Sequence, residues 1–224
     1  MDWTAIWLSV RLAAVTAAIL FVVGLPIAYW LSVTARRWRF AVEAVVALPL
    51  VLPPTVLGFY VLVAIGPRSL FGAFYETLTG SLLPFSFAGL VLASVLYSMP
   101  FTVQPFAAAF SSVDRRLVEA SWCLGVSKLE TFFRVVLPLS WPGVVTGIVL
   151  SFAHTLGEFG VVLMVGGNIE GVTRTVSVAI YDDVQALDYR SAAATSAVLL
   201  AFSFFVLSTT YALQRRVLAV WPMR

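Results

Sequence analysis

Apolar residues run with little interruption over about 5–31, 40–65, 85–110, 142–165 and 192–213. Each run is long enough to cross a bilayer core of about 30 Å as a helix of roughly 20 residues. Between them lie a short basic turn at Ala35-Arg36-Arg37-Trp38-Arg39, a Gly/Pro-bearing loop at 66–84, a polar stretch at 111–138 and a second polar loop at 166–191. The pattern predicts an all-α, polytopic membrane bundle of five transmembrane spans, with the two chain ends on opposite sides. No repeat, low-complexity tract or long linker breaks it, so residues 1–224 read as a single transmembrane domain.

Composition agrees with the pattern. The 224 residues are 61% hydrophobic and 11% charged, with mean hydropathy +0.98, against about 45–50% and about 25% in a soluble domain. That excludes a water-soluble globule. Cys123 is the sole cysteine and His154 the sole histidine, which excludes an internal disulfide framework and a zinc site built from several Cys or His ligands. No metal site is expected.

Charge placement then orients the spans. Arg36, Arg37 and Arg39, then Arg115, Arg116, Lys128 and Arg134, then Arg215, Arg216 and Arg224 fall on one side. Arg68, Arg174 and Arg190 fall on the other, and Arg11 sits inside the first span near its outer end. Cytoplasmic loops carry the excess of Lys and Arg, so the third connection and the C-terminus are expected inside and the N-terminus outside. The net charge of +3 is accounted for by orientation, and no nucleic-acid partner is expected. Met1-Asp2-Trp3-Thr4 lacks a basic n-region, so the first span reads as retained. Trp3, Trp7, Trp30, Trp38, Trp141 and Trp221 lie near span ends, where amphipathic rings favour the lipid interface.

The stretch 111–138 holds more architecture than a connection needs. Ser112 is placed to cap a helix from Val113, with Asp114 in its first turn and Val113, Leu117, Ala120 and Leu124 at helical spacing. Gly125 is placed as a left-handed stop. Ser127-Lys128-Leu129-Glu130 has the form of a capping box, Leu129, Phe132, Phe133 and Val136 stripe the helix that follows, and Pro138 bars its continuation. From these residues alone, the stripe either packs on the protein's own spans or lipid, or docks a partner.

Glu119-Ala120-Ser121, three residues, Gly125, and then Val135-Val136-Leu137-Pro138 resemble the EAA loop of ABC-importer permeases. Ser121 and Val135 are small departures from that pattern. The resemblance implies a type I importer fold in which this loop is a coupling helix seated in a separate cytoplasmic ATPase. It carries an expected coupling role onto Glu119, Ala120, Ser121, Gly125, Leu137 and Pro138. The run Pro49 to Gly58, then Gly66-Pro67-Arg68, Leu156-Gly157-Glu158-Phe159-Gly160 and Gly167-Asn168-Ile169 resemble the molybdate (ModB-type) permeases, and related sulfate and tungstate permeases share parts of them. Glu170 stands where that pattern has proline. The resemblance implies a homodimer in the inner (plasma) membrane of a bacterium or archaeon, with two ATPase subunits that bind ATP and Mg. It also implies an extracytoplasmic molybdate-binding protein. No cofactor is expected in this chain.

Within the membrane, Pro49, Pro53 and Pro54 break the second span. A helix restarting after Pro54 is expected to leave free N–H groups around Thr55, Val56 and Leu57, an arrangement that favours anions. A kink that serves only packing is the alternative. His154 and Glu158 are expected one turn apart on one helix face, toward the bundle interior. Ser94, Ser98 and Gln104 are neutral hydrogen-bonding groups that either meet a passing oxyanion or join helices. Pro53, Pro54, Thr55, Ser98, His154 and Glu158 are thus the candidate pathway residues. An intramembrane enzyme using His154 and Glu158 is the competing class; against it stand the lone histidine and the lack of His-Glu-x-x-His. No Gly-x-x-x-x-Gly-Lys-Ser/Thr occurs, so nucleotide chemistry falls to another chain and no catalytic residue is expected here.

Overall fold

The computed structural model describes residues 2–220, helical throughout apart from turns and caps. Trp221 and Arg224 lie outside the described residues, as do the side chains of Arg215 and Arg216. The helices are α1 (Trp3–Val33), α2 (Arg39–Val51), α3 (Pro54–Ile65), α4 (Leu70–Thr79), α5 (Phe87–Ser111), α6 (Arg115–Cys123) and α7 (Lys128–Thr131). A π-helical segment, Phe132–Val136, leads into α8 (Leu137–Leu139), and α9 (Trp141–Leu156), α10 (Gly160–Gly166), α11 (Val176–Gln185) and α12 (Tyr189–Val220) follow. Among the described residues, three helices are long and apolar enough to cross a bilayer alone: α1, α5 and the Tyr189–Thr210 part of α12. The number rises to five when each of two bent helix pairs counts as one span.

Two of the expected spans are not straight rods. The apolar stretch 40–65 divides into α2 and α3, which meet at 115°. Pro53 and Pro54 have no N–H to give, so α2 closes with Leu52 N–H on the Leu48 carbonyl and α3 restarts with Pro54 in its first turn. The stretch 142–165 divides at Gly157, giving α9 and α10. Glu158 therefore does not continue the helical face of His154, contrary to the periodicity expectation. The loop 66–84 also contains an unexpected helix, α4, capped by Ser69, whose Oγ accepts the Gly72 N–H at 2.8 Å, and stopped by left-handed Gly80.

The centre of the bundle is α1 packed along α5 and α9. Lipid tails are as apolar as leucine, so close backbone approach replaces the hydrophobic effect as the reason for helix pairing. Gly147 illustrates it. A Cβ there would lie 2.7 Å from the Phe106 ring, and Phe106 is fully buried with Val103 and Val144 beside it. Gly58 likewise lets α3 close on Met164 and Val161 of α10, while Gly160 admits Pro54. These contacts bring the restart of α3 against the break between α9 and α10.

At the end of the bundle where α5 finishes, α5 runs on to Ser111 and Ser112 is its C-cap, its hydroxyl donating to the Ala109 carbonyl. The expected cap at Ser112 is therefore corrected to Asp114, whose Oδ1 accepts the Arg116 N–H at 2.9 Å. Gly125 takes φ +79°, with Val126 N–H bonded to the Ser121 carbonyl and Gly125 N–H to that of Trp122. This is the Schellman arrangement. Ser127 caps α7 through the Glu130 N–H, but the Glu130 carboxylate pairs with Arg134 at 3.0 Å, so only half of the expected capping box forms. An i,i+4 cation competes for the carboxylate. The turn then widens: Leu137 N–H reaches the Phe132 carbonyl, which relieves the clash that Pro138 would impose on the carbonyl four residues back.

Candidate functional site

The break between α9 and α10 and the restart of α3 enclose the first candidate site, a cavity of about 630 Å³ walled by Pro54, Thr55, Tyr97, His154, Glu158 and Met164 among others. Thr55 is exposed on the first turn of α3. Pro53 is not in the wall; its carbonyl accepts the N–H groups of Val56 at 3.0 Å and Leu57 at 3.2 Å. Two of the three donors expected to be free are thus spent inside α3, because the carbonyl of the cap residue Pro53 accepts both the i−3 bond from Val56 and the first regular i−4 bond from Leu57. No Lys or Arg lines this cavity.

His154 is fixed from three sides. Its Nδ1 lies 2.9 Å from Ser98 Oγ, its ring stacks on Phe101 at 4.0 Å, and Tyr97 lies 4.8 Å away on another side. Ser98 Oγ is also 2.8 Å from Thr155 Oγ1, and both hydroxyl residues are buried. The histidine is therefore tied to α5 rather than to Glu158. Glu158 is only 4% exposed, and its carboxylate lies against the buried Ser94 hydroxyl without a well-formed hydrogen bond to it. Burying a polar group without a partner costs free energy, which marks Glu158 as a site of stored cost. Gln104 faces a separate cleft between α2 and α5, beside Glu43. Among the described residues, no cluster of three or more His, Cys, Asp or Glu side chains is gathered in a way that suits a metal ion.

A second candidate site is the α6–α8 segment. Leu124 is 84% exposed, and Leu117, Trp122, Leu129 and Phe133 are also exposed, an apolar row on a connection that carries Arg115, Arg116 and Lys128. The expected stripe divides in two: Phe132 and Val136 turn inward against Tyr29 and Phe110, while Leu129 and Phe133 turn outward. Glu119 pairs with Arg115 at 2.9 Å in the open, where such a pair contributes little. Ala120, Gly125 and Pro138 are exposed, and Leu137 is partly buried. Ser121 is buried and hydrogen-bonded to buried Thr131, joining α6 to α7. Sequence reasoning missed Thr131, since a lone threonine beside a phenylalanine carries no signal of a partner ten residues back.

At the opposite end, the turn after α10 closes without the expected proline. The Ile169 carbonyl accepts three N–H groups, from Val172, Thr173 and Arg174. Arg174 Nε donates to Asn168 Oδ1 at 2.7 Å, and its guanidinium reaches Asp182 at 3.8 Å and Glu170 at 3.9 Å. The polar loop 166–191 holds a helix, α11, anchored where Val176 N–H donates to Ser9 Oγ of α1. Tyr181 packs on Phe159 beside the cavity wall.

Comparison with known proteins converges on one group. The family model described as "Binding-protein-dependent transport system inner membrane component" matches residues 6–219. The molybdenum transport system permease protein ModB of Azotobacter vinelandii is 51% identical over 214 residues, covering 96% of this chain and 95% of that protein. ModB of Escherichia coli K12 is 34% identical, covering 88% and 86%, and a probable sulfate transport permease of Chlorella vulgaris is 33% identical, covering 94% and 79%. Among solved structures, the inward-facing MetNI methionine ABC transporter has a chain that superposes with TM-score 0.75 at 18% identity, covering 95% of this chain and 94% of that one. A bacterial alginate ABC transporter gives 0.77 at 17%, covering 96% and 78%. At these identities the structures speak for the fold alone.

Proposed function

This chain belongs to the binding-protein-dependent transport system inner membrane component family, and on that premise we propose that it is the permease subunit of an ABC importer that carries molybdate inward across the plasma membrane. The observation that carries the cargo is the 51% identity to the Azotobacter molybdenum permease over nearly the full length of both chains. The Chlorella relative gives a sulfate cargo some support, at the lower identity of 33%.

In this reading two copies of the chain form the transport path. Each offers its α6–α8 segment to a cytoplasmic ATPase subunit, which binds ATP and Mg and performs all nucleotide chemistry. The exposed row of Leu117, Leu124, Leu129 and Phe133 supports that docking, because an apolar surface of this kind on a charged connection is unstable facing water. Glu119, Ala120, Ser121, Gly125, Leu137 and Pro138 form the handle. The basic residues Arg36, Arg37, Arg39, Arg115, Arg116, Lys128 and Arg134 support its cytoplasmic placement. An extracytoplasmic binding protein delivers the anion at the α11 end. Closure of the ATPases moves the handles, and the broken spans α2–α3 and α9–α10 rock the cavity of Pro54, Thr55, His154 and Glu158 between the two sides. Pro53 caps the first turn of α3 and Ser98 holds His154 in that wall.

Reconstituting the permease, ATPase and binding protein in proteoliposomes tests the cargo. Molybdate is expected to stimulate ATP hydrolysis and to accumulate inside. Stimulation by sulfate with no response to molybdate overturns the assignment.

A further inference from the structure

We propose that His154 presents its Nε2–H to the cavity as a hydrogen-bond donor for the oxyanion in transit, and that Ser98 and Thr155 lock the imidazole in that tautomer. The inference rests on reading the cavity as the anion path. It is decided by counting hydrogens. Thr155 Oγ1 lies 2.8 Å from Ser98 Oγ, and Ser98 Oγ lies 2.9 Å from His154 Nδ1. Among the described residues neither hydroxyl has any other partner. Two hydroxyl hydrogens serve two bonds in only one economical way: Thr155 donates to Ser98, and Ser98 donates to Nδ1.

The reverse order puts the hydrogen on Nδ1, turns Ser98 toward Thr155 and leaves the Thr155 hydrogen without an acceptor at 2% exposure. A doubly protonated ring has the same defect. An orphaned buried donor is the costlier arrangement, so Nδ1 accepts and the ring hydrogen sits on Nε2. That nitrogen has no protein partner among the described residues and is not among the fully buried unpartnered atoms. Stacking on Phe101 and the contact with Tyr97 oppose rotation of the ring.

The surroundings define the ligand. With no Lys or Arg in the wall, the cavity offers neutral donors, His154 Nε2–H and the hydroxyl of Thr55, while both Glu158 oxygens are shut away from its surface. Neutral donors suit an oxyanion that must leave as readily as it enters, since conduction fails where binding is too strong. A tetrahedral oxyanion with only acceptor atoms matches this set; a cation or a hydrogen-bond donor does not.

The single histidine makes the test direct. Histidine labelled with 15N in this subunit alone, in a chain free of added histidines, gives one pair of imidazole nitrogens in solid-state NMR of the assembled complex. A protonated Nε2 and a bare Nδ1, with Nε2 responding to added molybdate, is expected. A protonated Nδ1, or an Nε2 indifferent to saturating molybdate during turnover, overturns the proposal. Transport variants provide an independent arm. His154→Gln keeps a donor near the Nε2 position, and His154→Asn keeps the Ser98 contact near Nδ1. Molybdate uptake by the glutamine variant is expected within about threefold of the parent and by the asparagine variant down about tenfold or more, the size of one lost hydrogen bond to a charged group. A purely structural histidine gives the opposite order, which sinks the inference. Ala153→Trp fills the same cavity. If it blocks uptake while the histidine results are reversed, only the role of His154 falls; if it transports normally, the pathway reading falls and takes this inference with it.

Discussion

Gly147 and His154 show how differently single residues announce themselves. In the sequence, Gly147 is one small residue in an apolar run, and nothing there says that α5 will press Phe106 and the Thr102 carbonyl against it. The structure leaves a side chain no room: a Cβ would sit 2.7 Å from one ring carbon and 3.0 Å from the carbonyl oxygen. Gly147→Leu is therefore expected to lower the stability of the solubilised protein by about 1–3 kcal/mol or more, as overpacking does. The thermal midpoint in detergent reads it, and an unchanged midpoint means that α5 and α9 are not held as described. His154, by contrast, stands out as the sole histidine in a span. What stayed hidden was its partner: spacing points to Glu158, whereas the hydrogen bond goes to Ser98 across the bundle, because α9 ends before Glu158 is reached.

Local chemistry is most readable at the level of the elements. The glycine stop at 125 and the serine cap at 127 act as their residue types require, since each works within one turn of backbone, whereas Pro138, expected to bar its helix, is carried within α8 as far as Leu139 by the widened turn before it. The errors are those where another group competes: Ser112 is claimed by the end of α5, and Glu130 by Arg134 one turn further along its own helix. The contact joining α6 to α7, Ser121 with Thr131, is buried on both sides. Ser121→Ala and Thr131→Val each leave one hydroxyl orphaned and are expected to cost about 1–3 kcal/mol apiece. Removing both together is expected to cost less than the sum of the two. Thermal melts of the three variants check this, and strict additivity means that the two hydroxyls do not depend on one another.

For the molecule as a whole, the arrangement predicts which surface meets which compartment. Cys123 is the sole cysteine and is exposed at the end of α6. A membrane-impermeant maleimide is therefore expected to label it in inside-out vesicles stripped of ATPase and to miss it in right-side-out ones. Labelling from the outer face reverses the orientation, and with it the handle. The sequence by itself determined that this is an all-helical membrane chain, roughly where its apolar stretches lie, which loops carry the positive charge and where the glycine-hinged motif sits. Those properties come from composition, charge and short-range backbone rules, which act along the chain. The tertiary structure alone decided that α9 ends before Glu158, that α3 closes on α10 through Gly58 and Gly160, and that Ser98 and Thr155 hold the histidine. Such facts depend on which helices meet and how near their backbones come, and residues far apart in sequence settle that together.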